Sequence, residues 1–175
     1  MTKAKGLIQI YTGNGKGKTT AALGQALRAA GHGLRVYMLQ FMKGSENYGE
    51  VKISSLLPTF TIVQSGRHEF VSKENPDPID IELAEQGLRL AREAIFSGRY
   101  DMVILDEINV ALDFGLIDLE RIIEIIKNKP PELDLILTGR YAPLELYELA
   151  DLVSEIRDVK HHYYKGVKAR EGIEY

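Results

Sequence analysis

The stretch that decides the fold is Thr12-Gly13-Asn14-Gly15-Lys16-Gly17-Lys18-Thr19-Thr20. It follows an apolar run at residues 6–11 and leads directly into an alanine-rich stretch at residues 21–30. A strand, a glycine-rich loop ending in Gly-Lys-Thr and a helix, in this order, are typical of a phosphate-binding P-loop. Glycines let successive backbone N–H groups point at an anion, and the following helix adds the positive end of its dipole.

The loop residues are therefore candidate nucleotide contacts: Gly13, Asn14, Gly15, Lys16, Gly17, Lys18, Thr19 and Thr20. Lys18 is expected to reach the outer phosphates, and the Thr19 hydroxyl to bind Mg²⁺. The usual spacing places a glycine five residues before Gly17, where this chain has Thr12, so the loop is a variant of the motif. Arg28 is a further candidate for a positive charge near the nucleotide, although an exposed helix arginine is the commoner situation.

A second motif is the apolar run at residues 101–107, which ends in Asp106 and Glu107. This is the Walker B pattern, in which a strand beside the P-loop strand brings an acid to the metal bound by the phosphates. Asp106 and Glu107, together with Thr19, are the candidate Mg²⁺ ligands. The Asp-Glu pair also suits an ATPase in which Glu107 activates water.

Polar residues follow two other apolar runs, at positions where parallel sheets place ligand contacts. Gln40 and Lys43 follow the run at 36–39, and Arg140 follows the run at 133–138. Arg140 is a candidate contact for phosphate or for a leaving group, and an ordinary surface arginine explains its position equally well.

Six apolar runs alternate with helical patterns, which predicts an α/β fold with a mainly parallel sheet and helices on both faces. A chain of 175 residues with 45% hydrophobic residues fits one domain. We therefore predict a single P-loop NTPase-like (RecA-like) nucleotide-binding domain over residues 1–175, with a C-terminal tail at 160–175.

Composition narrows the classes of function. The net charge of −3 argues against a general nucleic-acid binder, and the absence of cysteine excludes disulfides and thiolate metal sites. No apolar run approaches the ~20 residues of a membrane helix. Residues 1–5 also lack the apolar region of a signal peptide. We expect a cytoplasmic protein that binds neither nucleic acid nor a membrane.

Together the motifs resemble those of one family, the P-loop type ATP:corrinoid adenosyltransferases, which act on cob(I)alamin or cob(I)yrinic acid a,c-diamide. The similarity includes threonine rather than glycine at Thr12. The matching segments follow the family's order over nearly the whole chain: residues 11–22, 31–33, 40–44, 105–107, 138–140, 153–156, 159–161 and 166–175.

The resemblance implies transfer of the 5′-deoxyadenosyl group of ATP to the Co(I) of a reduced corrinoid, with release of triphosphate. Co(I) is the nucleophile in such enzymes, so no general base is needed. On this basis Lys18, Lys16 and the loop N–H groups stabilise the leaving triphosphate, with Thr19 and Glu107 on Mg²⁺. Asn14 would lie near the ribose or nucleobase. The resemblance further implies reversed binding of ATP in the loop, an electron donor that makes Co(I), and a homodimer.

The chain departs from the family's pattern after the third apolar run. The family usually carries Gly-Phe-Thr-Trp there, where aromatic residues meet the corrinoid. This chain has Gly-Arg-His-Glu-Phe at residues 66–70 and contains no tryptophan. Phe70, His68 and Gln40 are the candidate corrinoid contacts, and the preferred corrinoid stays open.

Three other functions are compatible with the residues alone. The first is an ATPase or motor-like module, which would release phosphate without a corrinoid. The second is a non-catalytic protein that senses nucleotide or carries a corrinoid. The third is a small-molecule kinase, which should show a separate arginine-rich lid, and the sequence has no such cluster.

Overall fold

The computed structural model describes residues 5–175. Its strands are β1 Ile8–Thr12, β2 Val36–Phe41, β3 Phe60–Ser65, β4 Met102–Asp106, β5 Asp134–Thr138 and β6 Leu152–Glu155. Its helices are α1 Lys18–Gly31, α2 Gly49–Ser54, α3 Pro78–Phe96, α4 Ile108–Asp113, α5 Leu119–Asn128 and α6 Leu144–Tyr147. A 3₁₀-helix covers His162–Lys165.

The strands form one sheet in the order β3-β2-β4-β5-β1-β6, and every neighbouring pair is parallel. The predicted α/β fold with a parallel sheet is therefore confirmed. The expectation that the acidic strand lies beside the P-loop strand is wrong, because β5 is inserted between β1 and β4. Two strand spacings, ~10 Å, separate β1 from β4, so residues that follow β1 must reach across the end of β5 to meet the end of β4.

Each face of the sheet carries its own hydrophobic cluster. On one face, Ala22, Ala26 and Ala29 of α1 pack against Met38 and Ile104. On the other face, helices α3, α4 and α5 pack against the strands through residues such as Leu88, Ile108 and Ile122. Side chains alternate along a strand, which is why Ile104 joins one cluster and the adjacent Leu105 the other. Helices on both faces are confirmed, and the alanines of α1 hold it close to the sheet.

The N-terminal residues 1–4, part of the segment from which we argued against a signal peptide, lie outside the described residues. Within residues 5–175, no helix has the length and apolar character needed to cross a membrane.

Candidate active site

The phosphate loop joins β1 to α1, and its last glycine begins the helix. Gly17 is the N-cap of α1 with φ 128°, a left-handed conformation that favours glycine. No side chain caps this end of α1, although the Gly17 carbonyl accepts the N–H of Ala21 at 2.7 Å. The first N–H groups of the helix have no intrahelical partner, and such a helix start binds anions.

The other two glycines of the loop are explained by the chain that follows β6. A Cβ on Gly13 would lie 2.4 Å from the carbonyl oxygen of Ile156, and one on Gly15 would lie 2.7 Å from the backbone of Arg157. Gly15 N–H donates to Ile156 at 2.8 Å, and Ile156 N–H donates to the carbonyl of Thr12 at 2.8 Å. This segment braces the outer side of the loop, and the Gly15 N–H is already bonded to it.

Thr12, which departs from the usual motif, holds the loop that follows β5. Its buried hydroxyl accepts the N–H of Ala142 at 3.4 Å, while the N–H of Gly139 donates to the carbonyl of Tyr11 at 3.2 Å. A glycine could not make the first contact. The threonine therefore fixes the turn that carries Arg140 beside the phosphate loop.

Asp106 at the end of β4 is the hub of the site's hydrogen bonds. One carboxylate oxygen accepts the hydroxyls of Thr19 at 2.9 Å and Thr138 at 2.7 Å. The other accepts the ammonium of Lys43 at 2.8 Å and the amide of Gln40 at 3.3 Å. The residue is fully buried. Thr19, which follows β1, thus reaches Asp106 at the end of β4 across the end of β5. Thr138 of β5 donates to the same carboxylate oxygen.

Glu107 follows Asp106 with φ 60°, a left-handed conformation that is uncommon for a non-glycine residue. Burial raises the pKa of its carboxyl, the charge of Asp106 adds to the rise, and Lys43, Lys18 and Arg140 oppose it. The carboxylate therefore lies among three cations that follow three different strands: Lys18 after β1, Lys43 after β2 and Arg140 after β5.

Lys18 is buried and turns back into its own loop. Its ammonium donates to the carbonyl of Gly15 at 2.7 Å. Burial lowers the pKa of Lys18, as does Arg140, while Glu107 and Asp106 oppose the change. An anion in the loop would relieve this burial cost, because it would offer the ammonium a charged partner.

Left-handed backbone at non-glycine residues is concentrated at this edge of the sheet. Among residues 5–175, the three such positions are Met42, Glu107 and Tyr141. They follow β2, β4 and β5, which are neighbours in the sheet. Strained backbone of this kind tends to cluster at active sites and ligand clamps.

The comparisons with known proteins point to one family. The model of the family "ATP:corrinoid adenosyltransferase BtuR/CobO/CobP" matches residues 4–175. The chain belongs to this family. A corrinoid adenosyltransferase of Sinorhizobium sp is 36% identical, over 99% of this chain and 82% of that protein. That of Escherichia coli strain K12 is 37% identical, over 98% of this chain and 86% of that protein.

A structural neighbour supports the fold alone. A KaiC-like protein from Pyrococcus horikoshii OT3 superimposes with a TM-score of 0.57 at 17% identity, over 89% of this chain and 74% of that one. The family, in contrast, is shown by the family match, which confirms the resemblance to ATP:corrinoid adenosyltransferases that the sequence motifs indicated.

The donor set suits Mg²⁺ in this adenosyltransferase. Thr19 and Glu107 offer hard oxygen atoms at the phosphate loop, and Mg²⁺ is commonly held by one or two carboxylates together with substrate phosphates. Within residues 5–175 no group of three or more His, Cys, Asp or Glu side chains forms a metal site on its own. The residues fit a metal ion that completes its shell with phosphate oxygens and water.

Two predicted site residues are not where the sequence suggested. Arg28 lies exposed on the last turn of α1, hydrogen-bonded to Gln25 at 3.3 Å. Ten residues of helix, ~15 Å, separate it from Lys18, which does not support its assignment to the nucleotide. Gln40 is fully buried, with its amide on Glu50 and Asp106, which does not support its assignment to the corrinoid.

The remaining predicted residues surround the site. Arg140 is exposed and close enough to affect both Lys18 and Glu107. The exposed residues Asn14, Lys16 and Thr20 lie on the loop or the first turn of α1.

The loop that departs from the family's pattern is anchored at both ends. Arg67 makes two hydrogen bonds to the buried carboxylate of Asp80, at 2.8 and 2.9 Å. Lys73 pairs with Asp113 at 2.7 Å. Between these anchors Phe70 is fully exposed, and His68 is exposed as well.

The C-terminal tail contacts the phosphate loop, which sequence reasoning missed. The ammonium of Lys16 donates to the carbonyl of Ile173 at 3.2 Å. The rings of Tyr48 and Tyr175 meet edge to face with centroids 6.4 Å apart. These contacts join residues far apart in sequence, so no local pattern could have indicated them.

Proposed function

We propose that this chain transfers the 5′-deoxyadenosyl group of ATP to the Co(I) of a reduced corrinoid and releases triphosphate. The observation that carries the proposal is membership of the ATP:corrinoid adenosyltransferase family over residues 4–175. That match includes the phosphate loop and the acidic end of β4.

The chemistry requires no proton transfer at the protein. An electron pair of Co(I) forms the bond to C5′ of the ribose, while the C5′–O bond breaks and its electron pair leaves with the triphosphate. The protein must therefore hold C5′ in line with cobalt and stabilise the charge that develops on the departing oxygen.

Lys18, Lys16 and the free N–H groups at the start of α1 are proposed to hold the triphosphate, with Arg140 as a further positive charge. Thr19 and Glu107 are proposed to hold Mg²⁺, which when bound neutralises phosphate charge. Asp106 is proposed to act mainly through Thr19, because both of its oxygens already accept hydrogen bonds.

Other contacts to the substrates are proposed from the loop positions. Asn14 is proposed to lie near the ribose or nucleobase. Phe70 and His68 are proposed to contact the corrinoid, and their exposure supports this role. Reversed binding of ATP in the loop, relative to other P-loop proteins, is part of the proposal.

The assembly and its setting are also proposals. We propose a single nucleotide-binding domain over residues 1–175 that forms a homodimer in the cytoplasm. A separate electron donor is proposed to reduce the corrinoid to Co(I). The exposed rings of Tyr163 and Tyr164, together with the exposed edge strand β6, support an interface. Sedimentation of the purified protein tests the dimer, and a monomer at all concentrations would contradict it.

The proposed activity is tested by mixing the protein with ATP, Mg²⁺ and a chemically reduced corrinoid while the corrinoid absorption spectrum is followed. The spectrum of a cobalt–carbon product should appear only with ATP and reductant together. Orthophosphate release at the same rate without corrinoid would instead identify an ATPase that uses Glu107 to activate water.

A further inference from the structure

Lys43 is a lysine held inside the site on a carboxylate. Its ammonium lies 2.8 Å from Asp106, and the side chains are 16% and 0% exposed. Its ammonium also lies 5.7 Å from the centre of the Tyr48 ring. Burial opposes the charged form, but Asp106, Glu107 and Glu50 outweigh it and raise the pKa of Lys43. The ion pair with Asp106 therefore holds a cation inside the site.

The backbone around Lys43 is built to aim it at Asp106. Met42 before it is left-handed with φ 58°, and its N–H donates to the carbonyl of Ser65 at 3.1 Å. A Cβ on Gly44 would lie 2.2 Å from the carbonyl oxygen of Gly66, and one on Gly66 would lie 2.4 Å from the backbone nitrogen of Lys43. The ends of β2 and β3 are thus pressed together at two glycines, which fixes where Lys43 leaves the sheet.

Lys43 and Lys18 approach the carboxylates from opposite sides. Lys43 follows β2, which neighbours β4 on one side, whereas Lys18 follows β1, which lies beyond β5 on the other. The cations that act on Glu107 are Lys43, Lys18 and Arg140, and the carboxylates that act on Lys43 are Asp106, Glu107 and Glu50. Lys43 and Thr19 bind different oxygens of Asp106, so the ammonium lies one carboxylate away from the start of α1.

We propose that Lys43 is a second triphosphate-binding lysine, opposite Lys18, which also prevents Asp106 from binding the metal ion directly. Mg²⁺ is then left to Thr19 and Glu107, while Asp106 orients Thr19. This inference rests on the proposed function, because it requires a triphosphate in the loop. The competing explanation is that Lys43 serves only as the structural counter-ion of Asp106.

The first test is calorimetric binding of inorganic triphosphate, with Mg²⁺ removed by a chelator, to wild type and to Lys43→Met. Loss of one charge-assisted contact should weaken binding by about tenfold or more. Lys127→Met, an exposed lysine on α5, is the matched control and should bind as wild type does. If wild type binds and Lys43→Met binds equally well, this inference is overturned and the proposed function is not. If wild type does not bind, both fail.

A second test separates phosphate binding from the counter-ion role and avoids a buried unpaired charge. Asp106→Asn needs no counter-ion, so a purely structural Lys43 predicts that Asp106→Asn and Lys43→Met/Asp106→Asn bind triphosphate equally. We expect the double variant to bind about tenfold or more weaker than the single one. Equal affinities overturn the inference.

The third test uses the metal. Removing Lys43 should free an oxygen of Asp106 for Mg²⁺, so added Mg²⁺ should strengthen triphosphate binding to Lys43→Met by a larger factor than to wild type. The same factor for both proteins would contradict the role of Lys43 in keeping Asp106 from the metal.

Discussion

At the scale of the residue, the site holds charges that a ligand must complete. Lys18 is buried on the carbonyl of Gly15, and Glu107 lies in strained backbone among cations. Neither group has a partner of full opposite charge at hydrogen-bond distance among the contacts of residues 5–175. A triphosphate with its metal ion would supply both partners.

Replacing Lys18 by alanine should reduce adenosyl transfer by on the order of 10²–10³-fold, because one donor to the developing negative charge is lost. The measurement is the rate of cobalt–carbon product formation at saturating ATP. Lys127→Ala, which removes an equal charge from an exposed helix position, should leave the rate unchanged. Near-normal turnover of Lys18→Ala would show that its role is misassigned.

Replacing Glu107 by glutamine should stabilise the fold at neutral pH while impairing transfer. Burial raises the pKa of Glu107 above its usual 4.5, so the folded state disfavours the charged form. That cost is absent below the pKa of the unfolded chain and appears as pH rises through the raised value. Urea unfolding should therefore show a higher free energy of unfolding for Glu107→Gln than for wild type at neutral pH, and no such difference at about pH 4. A gain of equal size at both values would contradict the pKa shift.

The motif residues Lys18, Thr19 and Glu107 were predictable because a phosphate loop and an acidic strand end are contiguous patterns. The role of Lys43 was not, since it depends on β2 lying beside β4. The burial of Gln40 against Asp106 was not predictable for the same reason, because its position after an apolar run does not reveal the neighbouring strand.

At the scale of the element, the phosphate loop is held by the strand on each side of it. The chain after β6 hydrogen-bonds its outer side, and the loop after β5 is tied to Thr12. The two strands beside β1 therefore fix the loop's conformation before any ligand binds, which lowers the ordering cost of binding.

Gly13→Ala should destabilise the protein by about 2 kcal/mol, because Gly13 has φ 96° and its Cβ would collide with the carbonyl of Ile156. Gly24→Ala is the matched control: no atom lies within 4 Å of the added Cβ in the exposed middle of α1. It should stabilise by about 0.5–1 kcal/mol. Denaturant unfolding measures both, and equal effects in the two variants would contradict the close approach of the segment after β6.

Strands and helices were predictable from apolar runs and helical periodicity, and all six runs became strands. Their lateral order was not, because periodicity says which side chains are buried but not which strand is the neighbour. The insertion of β5 between β1 and β4 is an example, because no local motif in the sequence marks it.

At the scale of the whole molecule, the hydrophobic core and the tail are separate. The members of the two hydrophobic clusters all lie at or before residue 150. The tail is held instead by surface contacts, such as Lys52 with Glu171 at 3.8 Å, with side chains 55% and 77% exposed. Surface ion pairs of this kind contribute little to stability.

Truncation after Val167 should therefore change the free energy of unfolding by less than about 1 kcal/mol. The same truncation should alter ATP binding, because it removes the contact of Ile173 with Lys16 in the phosphate loop. Urea unfolding and ATP titration are the two measurements. A large loss of stability would show that the tail belongs to the cooperative core.

The central claim is that the bond broken lies between C5′ and oxygen, with triphosphate as the leaving group. ATP labelled with ¹³C at C5′, incubated with the protein, Mg²⁺ and reduced corrinoid, tests it by ¹³C and ³¹P NMR. We predict that the labelled carbon becomes bonded to cobalt and that one triphosphate appears for each labelled product. Labelled carbon that stays in ADP, accompanied by orthophosphate, would contradict the account.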